Sequence, residues 1–141
     1  MRPTTADCAV LYIQCLPARH AVTPGLVEEV TQALSGTFAA GKQDDVRIVL
    51  AEAVNNIVEH AYAGSDLGAV IVCVTVTTTR LWIDLTDWGH PFPAECGPLV
   101  LPDPQGLSEG GYGTFLIRSL TSQVIRTRHC RENRLALGFD L

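Results

Sequence analysis

The sequence predicts an α+β fold: a two-layer sandwich in which a mixed, mostly antiparallel sheet carries helices on one face. Two observations lead to this class. Runs of β-branched and aromatic residues bounded by turn residues recur along the chain, as expected for strands. Between them lie segments whose apolar residues repeat at helical spacing, as expected for helices with one buried face. In chain order the segments are β-α-α-β-β-loop-α-β-β.

The composition bounds the class of protein. The chain has 141 residues, 47% of them hydrophobic, which favours one domain over residues 1–141. Its net charge of −5 argues against direct binding of nucleic acid. No apolar run approaches the ~20 residues of a membrane-spanning helix, and no apolar stretch follows Arg2 as in a signal peptide. The five cysteines lack metal-binding or redox spacing. We therefore expect a protein of the reducing cytoplasm with no membrane contact.

The first predicted strand, AVLYIQ, covers residues 9–14. Thr23 and Pro24 then predict a helix start, with a hydroxyl cap and a proline at the first helical position. Apolar residues continue on one side of this helix to Phe38, and Gly41 is expected to end it. An apolar first helix of this kind is compatible with a homodimer or with a groove for another partner, and the sequence does not choose between them.

The second predicted helix begins at a cap, Asp44 or Asp45, and runs to about Tyr62. Its apolar residues follow the spacing of a helix with one face in the core: Val46, Val49, Leu50, Ala53, Val54, Ile57, Val58 and Ala61. Another broad face carries the polar residues Glu52, Asn55, Asn56, Glu59 and His60.

The two adjacent asparagines of this polar face need a reason. A solvated helix face is the simplest interpretation, but asparagine is a poor residue for a helix interior. A carboxylate and an amide one turn apart, as in Glu52 and Asn56, supply the hard oxygen ligands that Mg²⁺ prefers. A carboxylate placed beside a hydroxyl or a water can also serve as a general base.

The second half of the chain alternates predicted strands with one long loop. Residues 69–76 and 80–87 are expected to form a hairpin through Thr77–Thr79. Residues 89–112 are rich in proline and glycine and are predicted to form a long, functional loop. A short helix is expected from Thr114 to Leu120, followed by strands over residues 123–129 and 134–141.

Two motifs flank this loop. Asp87 ends a strand and Gly89 follows; the pair suits an ordinary turn, or an acceptor for the exocyclic amine of a base with close backbone approach of a ring. At 109–120, the segment EGGYGTFLIRSL places glycines before an amphipathic helix, whose first N–H groups suit a phosphate. In isolation such glycines indicate only a flexible turn. They lack the Gly-Lys-Ser/Thr of a P-loop and the directly preceding strand of a dinucleotide fold.

Taken together and in this order, the three motifs resemble those of the GHKL (histidine-kinase-like) ATPase superfamily. More closely, the chain resembles the bacterial anti-sigma-factor serine/threonine kinases of partner-switching systems. EAVNNIVEHAY is similar to their N box, DWGHPF to their first glycine box and GGYGTFLIRSL to their second. The resemblance implies a Bergerat/GHKL ATP-binding fold that uses ATP or ADP and Mg²⁺, with residues 93–110 as a lid.

The resemblance also implies roles for the residues of the N box. Glu52 falls at the position of the catalytic base, and Asn56 at the position of the magnesium ligand. Asn55 would be a neighbour that points toward the phosphates or the ribose.

In the two glycine boxes, the resemblance implies that Asp87 accepts a hydrogen bond from the adenine amine and that Gly89 completes the same turn. Gly111 and Gly113 match glycines that hold the phosphates, and Thr114 is placed to donate a hydroxyl.

Several functions stay open at this point. The resemblance implies a serine/threonine protein kinase that phosphorylates a STAS-domain anti-anti-sigma antagonist and acts on a sigma factor. The alternative is a nucleotide-gated binding module for a sigma factor or antagonist, with little kinase activity. A detached ATPase domain of a histidine kinase or gyrase is less favoured, because only residues 1–8 precede the first strand and no phosphoacceptor helix is predicted. The last alternative is an α+β scaffold that binds no nucleotide.

Overall fold

The computed structural model describes residues 8–37, 40–65, 67–92 and 110–141. The strands are β1 Ala9–Pro17, β2 Ala69–Val76, β3 Arg80–Asp87, β4 Gln123–His129 and β5 Glu132–Asp140. The α-helices of the described residues are α1 Thr23–Ala33, α2 Ala40–Asn56 and α3 Gly110–Leu120. Their order along the chain confirms the α+β class predicted from the sequence.

The strands form an open sheet in the order β1-β2-β3-β5-β4. All pairings among these described strands are antiparallel, so the expected parallel component of a mixed sheet is not present in them. The register places Asp87, the last residue of β3, opposite Val70 of β2 and Asn133 of β5. Directly paired residues share a sheet face, so Asp87 and Asn133 lie side by side on the face that packs against the helices.

The core lies between that face and the helices. Alternate residues of the three central strands form its sheet side: Val70, Val72, Val74, Leu81, Ile83, Leu85, Leu135, Leu137 and Phe139. Every apolar position predicted for the second helix is buried. Burial of the valine, leucine and isoleucine side chains among them contributes about 1.5–3 kcal/mol each, and it fixes which face of this helix remains for polar residues.

The strand predictions of the second half are close to the structure. β2, β3 and β4 have the predicted bounds, and β5 begins two residues earlier than predicted. The β2–β3 connection is a hairpin in which the Thr77 N–H donates to the Arg80 carbonyl at 2.8 Å. β1 is longer than predicted and extends to Pro17.

The first helix is shorter than predicted. α1 ends at Ala33, and Gly36 adopts a φ of 81° in the left-handed region that favours glycine. The second helix already begins at Ala40, so the prediction that Gly41 ends the first helix is wrong. Phe38, predicted on the first helix, lies outside the described residues.

The start of α1 also differs from the prediction. A 3-10 turn over His20–Val22 leads into the helix, and the N-cap residue is Val22 rather than Thr23. The Thr23 side chain is buried, and its hydroxyl donates to the Asn55 side-chain oxygen at 3.1 Å. The threonine therefore connects two helices instead of capping one.

α2 does not continue as a regular α-helix to Tyr62. Residues Ile57–Ala61 form a π-turn, a rare local structure that is frequent at functional sites. After it, the Tyr62 hydroxyl donates to the Ala69 carbonyl at 2.6 Å and accepts from the Trp88 N–H at 3.0 Å. These bonds join the end of the helix to the start of β2 and to the residue that follows β3.

Within the part of the chain that the structure describes, no helix is long and apolar enough to span a membrane. The cysteines among the described residues form no disulfide bond: Cys8, Cys15, Cys73 and Cys130. Cys96 lies outside the described residues.

Candidate functional site

Asp87 forms the centre of a buried polar group at the end of β3. The residue is 0% exposed. Its Oδ1 atom accepts hydrogen bonds from the Gly89 N–H at 2.9 Å and from Asn133 Nδ2 at 2.8 Å. Its Oδ2 atom is buried and has no hydrogen-bond partner among the described residues. A buried carboxylate oxygen without a donor is costly, so Oδ2 fits a site that a hydrogen-bond donor of a ligand completes.

The surroundings of Asp87 set its acidity. Burial raises the pKa of the carboxyl above its ordinary value, because the charged form loses its hydration. The hydrogen bonds from Asn133 and Gly89 and the charge of Arg128 lower the pKa and offset part of this effect. The carboxylate is thus held by the protein through one oxygen while the other stays available.

Asn133 and Arg128 are polar residues of this group that the sequence reasoning missed. Asn133 is 0% exposed, and its Nδ2 also donates to the His90 carbonyl at 2.9 Å. Its Oδ1 accepts from Arg128 Nη1 at 2.6 Å. One signal for Asn133 was available: it occupies the inward position of a strand whose next inward residues are Leu135 and Leu137.

Gly89 is needed for a contact between protein segments. A Cβ atom on Gly89 would lie 2.2 Å from the Ala61 carbonyl oxygen and 2.5 Å from the Ala61 carbonyl carbon. In the same place the His90 N–H donates to the Ala61 carbonyl at 2.6 Å. The glycine therefore lets the turn after β3 sit against the last residue of the π-turn. Close approach of a ligand ring, the reason expected from the sequence, stays a prediction.

Glu52 and Asn56, in the last turns of α2 before the π-turn, meet the first turn of α3. A Cβ atom on Gly113 would lie 2.6 Å from Glu52 Oε2 and 3.6 Å from Asn56 Oδ1. The two side chains are half-buried, so they reach solvent beside this contact. The structure thus brings together the acid, the amide and one of the glycines that the sequence singled out.

The glycine motif itself differs from the prediction. The helix was expected to start at Thr114 after a glycine turn, but α3 starts at Gly110 and includes Gly111 and Gly113. The glycines still lie in its first turn, where backbone N–H groups lack intrahelical acceptors and suit an anion. Thr114 follows in the same helix and is half-buried.

Asn55 and Asn56 have different partners, although they are adjacent in the chain. Its Oδ1 atom accepts from Thr23 Oγ1 at 3.1 Å and from His20 Nδ1 at 3.1 Å. His20 Nε2 also lies 3.6 Å from Glu59 Oε1. This differs from the expectation that Asn55 points toward the phosphates or the ribose. Adjacent helical residues are rotated by about 100°, so Asn55 faces α1 while Asn56 faces α3.

The expected lid covers residues 93–110, of which 93–109 lie outside the described residues. Just before this segment, the Phe92 ring packs against the guanidinium of Arg126 in β4, whose Cζ atom lies 5.3 Å from the ring centroid. On the far side, Gly110 already belongs to α3.

Comparison with known proteins agrees with this geometry. Residues 3–139 match the family described as "Histidine kinase-like ATPase domain". The serine-protein kinase RsbW of Staphylococcus epidermidis is 36% identical over 103 residues, which covers 64% of this chain and 65% of that protein. RsbW of Oceanobacillus iheyensis is 31% identical over 93 residues, which covers 62% of this chain and 59% of that protein. The chain therefore spans less than two thirds of the length of these curated relatives.

A solved structure has the same fold. The crystal structure of the RsbU and RsbW domains of Rv1364c from Mycobacterium tuberculosis superposes with a TM-score of 0.63 at 16% sequence identity, over 91% of this chain and 32% of that chain. The family match extends over all three motifs, from the N box to the second glycine box. This chain belongs to the histidine kinase-like ATPase family.

Proposed function

We propose that the protein is an ATP-dependent serine/threonine protein kinase and anti-sigma factor that phosphorylates a STAS-domain anti-anti-sigma antagonist. The observation that carries the proposal is the placement of Glu52 and Asn56 against Gly113, in the first turn of α3. Phosphoryl transfer requires positioning, a metal and a base rather than covalent chemistry by the protein. This contact supplies a carboxylate, an amide oxygen and helix N–H groups in one place.

The residues present fit a bound adenine nucleotide with Mg²⁺. Asp87 Oδ2 is buried and lacks a donor among the described residues, which suits the exocyclic amine of adenine. The first N–H groups of α3 suit phosphate oxygens, and Asn56 Oδ1 suits Mg²⁺ together with waters and phosphate oxygens. When bound, Mg²⁺ neutralises charge on the transferred phosphoryl group.

In the proposed reaction Glu52 acts as the general base. Its carboxylate takes the proton of a serine or threonine hydroxyl on the partner as that oxygen forms a bond to the γ-phosphorus. The bond between the γ-phosphorus and the bridging oxygen breaks, and ADP carries the electron pair away. The first turn of α3 holds the phosphate chain, and Asp87 holds the adenine base. Because ATP is held at both places, the direction from which the hydroxyl attacks the γ-phosphorus is fixed.

The partners and location follow from the same proposal. The names of the relatives support a serine-protein kinase. The sigma factor as a second partner and the cytoplasmic location belong to the proposal and rest on the resemblance of the three motifs to partner-switching kinases. The sheet face opposite the helices exposes Val10, Ile13 and Ile125. Exposed apolar side chains of this kind fit a homodimer or a protein partner; sedimentation analysis of the purified chain distinguishes a monomer from a dimer.

The test of the function is a transfer experiment. The protein is incubated with radiolabelled ATP, Mg²⁺ and a candidate STAS-domain antagonist, and label on the antagonist is followed within a single turnover. Transfer of label to a serine or threonine supports the kinase. Binding of nucleotide and antagonist without transfer of label would instead leave the nucleotide-gated binding module. Calorimetry that detects no ATP binding in the presence of Mg²⁺ would overturn both.

A further inference from the structure

Arg128, at the edge strand β4, contacts the Asp87 group from its outer side. Its Nη1 atom donates to Asn133 Oδ1 at 2.6 Å and to the Gly89 carbonyl at 3.2 Å. We propose that Arg128, acting through Asn133, is a positioning residue that sets the base selectivity of the Asp87 site. The inference rests on the proposed adenine nucleotide site and extends it to two residues outside the three motifs.

The first step of the argument is the orientation of the Asn133 amide. Its Nδ2 group faces three acceptors: Asp87 Oδ1 at 2.8 Å, the His90 carbonyl at 2.9 Å and the Gly89 carbonyl at 3.4 Å. Its Oδ1 atom faces Arg128, a side chain that can only donate. A flipped amide would set oxygen against these acceptors and an NH₂ group against a cation. Arg128 and the acceptors of Nδ2 together therefore determine which way the buried amide points, and Arg128 holds its oxygen side.

The second step follows from that orientation to Asp87. Because Asn133 and the Gly89 N–H both donate to Oδ1, this oxygen is held as an acceptor within the protein. Oδ2 is then the atom left for a ligand, and on an ionised carboxyl it also only accepts. An amino group at position 6 of a purine satisfies it, whereas a 6-oxo group places a second acceptor against it.

The third step is the location of Arg128. It is an exposed residue of an edge strand, so its loss opens no core cavity. Its neutral replacement leaves Asn133 Oδ1 without the donor that holds it, which loosens the orientation of the amide, and removes a positive charge beside Asp87. Both effects weaken the preference of the site for a donor, and neither affects the contact of Glu52 and Asn56 with α3. A change confined to base selectivity is therefore the signature of this role.

The experiment compares three ligands, each with Mg²⁺: ATP, GTP and inorganic tripolyphosphate, by calorimetry on the full chain. For Arg128→Ala, coupling within a hydrogen-bonded network leads us to expect a roughly three- to tenfold fall in the ratio of ATP to GTP affinity. Tripolyphosphate affinity should be unchanged. Arg128→Lys, which keeps a donor and the charge, should retain most of the selectivity. Arg134→Ala is the matched control, since this exposed arginine of β5 pairs with Glu132 and lies opposite Thr86, on the other sheet face.

The possible outcomes distinguish a failure of the positioning role from a failure of the proposed adenine nucleotide site. If the unaltered protein binds ATP no better than tripolyphosphate, the proposed adenine site itself is wrong. If the unaltered protein prefers ATP over GTP and Arg128→Ala keeps the same ratio, the positioning role is overturned. An equal loss of all three ligands in Arg128→Ala would also overturn it, because the residue would then support the site as a whole.

Discussion

The two ends of the candidate site are built in different ways. At the Asp87 end, strand pairing sets Asp87 beside Asn133, both 0% exposed, and one carboxylate oxygen has two donors. At the Glu52 end, half-buried side chains of α2 face the first turn of α3, which follows residues 93–109 in the chain. The comparison teaches that the sheet holds the Asp87 end in place, whereas the Glu52 end depends on how two helices pack; under the proposed function these are the ends for recognition of the adenine base and for phosphoryl transfer.

The largest expected effect lies at the Glu52 end. Glu52→Gln should lower the rate of phosphoryl transfer ~10²–10⁴-fold, because the amide cannot accept the proton. The affinities for ATP and for the antagonist should be retained, since the replacement is isosteric. Asn56→Ala should instead weaken Mg²⁺-dependent nucleotide binding, because a metal ligand is lost.

Rapid-quench transfer measurements and calorimetry, run on both variants, check this pair of signatures. Glu59→Gln is the matched control, since this glutamate of the π-turn is exposed and lies near His20. Transfer at the unaltered rate by Glu52→Gln would remove the base assignment.

The next effect belongs to the Asp87 end. Asp87→Ala should weaken ATP binding by roughly ten- to hundredfold, as expected for loss of a hydrogen bond worth ~1.5–3 kcal/mol to a charged acceptor. Tripolyphosphate should bind as before. Asp84→Ala, on the opposite face of the same strand, controls for the change in charge. Calorimetry that finds equal losses for ATP and tripolyphosphate would mean that Asp87 only shapes the turn.

Two glycines give a third test of the contrast. The Cβ of Gly89→Ala would meet the backbone carbonyl of Ala61, which cannot move without the helix end. We expect the Gly89→Ala substitution to lower the free energy of unfolding by about 1–3 kcal/mol. The Cβ of Gly113→Ala would meet the mobile end of the Glu52 side chain. This variant should keep its stability, because alanine favours a helix by about 0.5–1 kcal/mol over glycine.

For Gly113→Ala the loss should appear in transfer, by up to roughly 10²-fold, since the carboxylate is displaced from its position. Urea denaturation and transfer rates, measured on both variants, decide the point. A stable, fully active Gly89→Ala protein would show that the turn has room that the structure does not give it.

The smallest expected effect is on pH dependence. Burial raises the pKa of Asp87 above 3.8, and the adenine amine requires the ionised form. As pH falls toward the raised pKa, the affinity for ATP should therefore decline relative to the affinity for tripolyphosphate. The tripolyphosphate measurement corrects for protonation of the phosphates. The raised pKa also affects the stability of the unliganded protein. The protonated Asp87 carboxyl contributes stability in full below about pH 3.8, and this contribution is lost as the pH rises through the raised pKa. Calorimetry of ATP and tripolyphosphate across acidic pH checks the affinity, and a constant ratio would contradict it.

Local patterns predicted much of this molecule. Runs of β-branched and aromatic residues located β2, β3 and β4, because such side chains suit a packed sheet. Helical spacing identified the buried residues of the second helix, because that pattern records burial directly. The polar group at Asp87 was only partly predictable. Asn133 lies 46 positions further along the chain and meets Asp87 through strand register, which no short segment encodes. The fit of Gly89 against Ala61 and the split between Asn55 and Asn56 depend in the same way on how helices and sheet are placed.

The end of α2 and the π-turn that follows it together act as a spacer of fixed length. Glu52 and Ala61 are nine positions apart on one continuous helical segment, or roughly 13 Å at an ordinary helical rise. Ala61 is bonded to the turn that follows Asp87, so this segment sets the distance between the two ends. Under the proposed binding mode, AMP would fill the Asp87 end alone, and calorimetry of AMP, ADP and ATP would measure what each phosphate adds. One residue more in the π-turn would lengthen the spacer and rotate its ends by about 100° relative to each other, so the length of ligand that the protein can use is tied to the length of one helix.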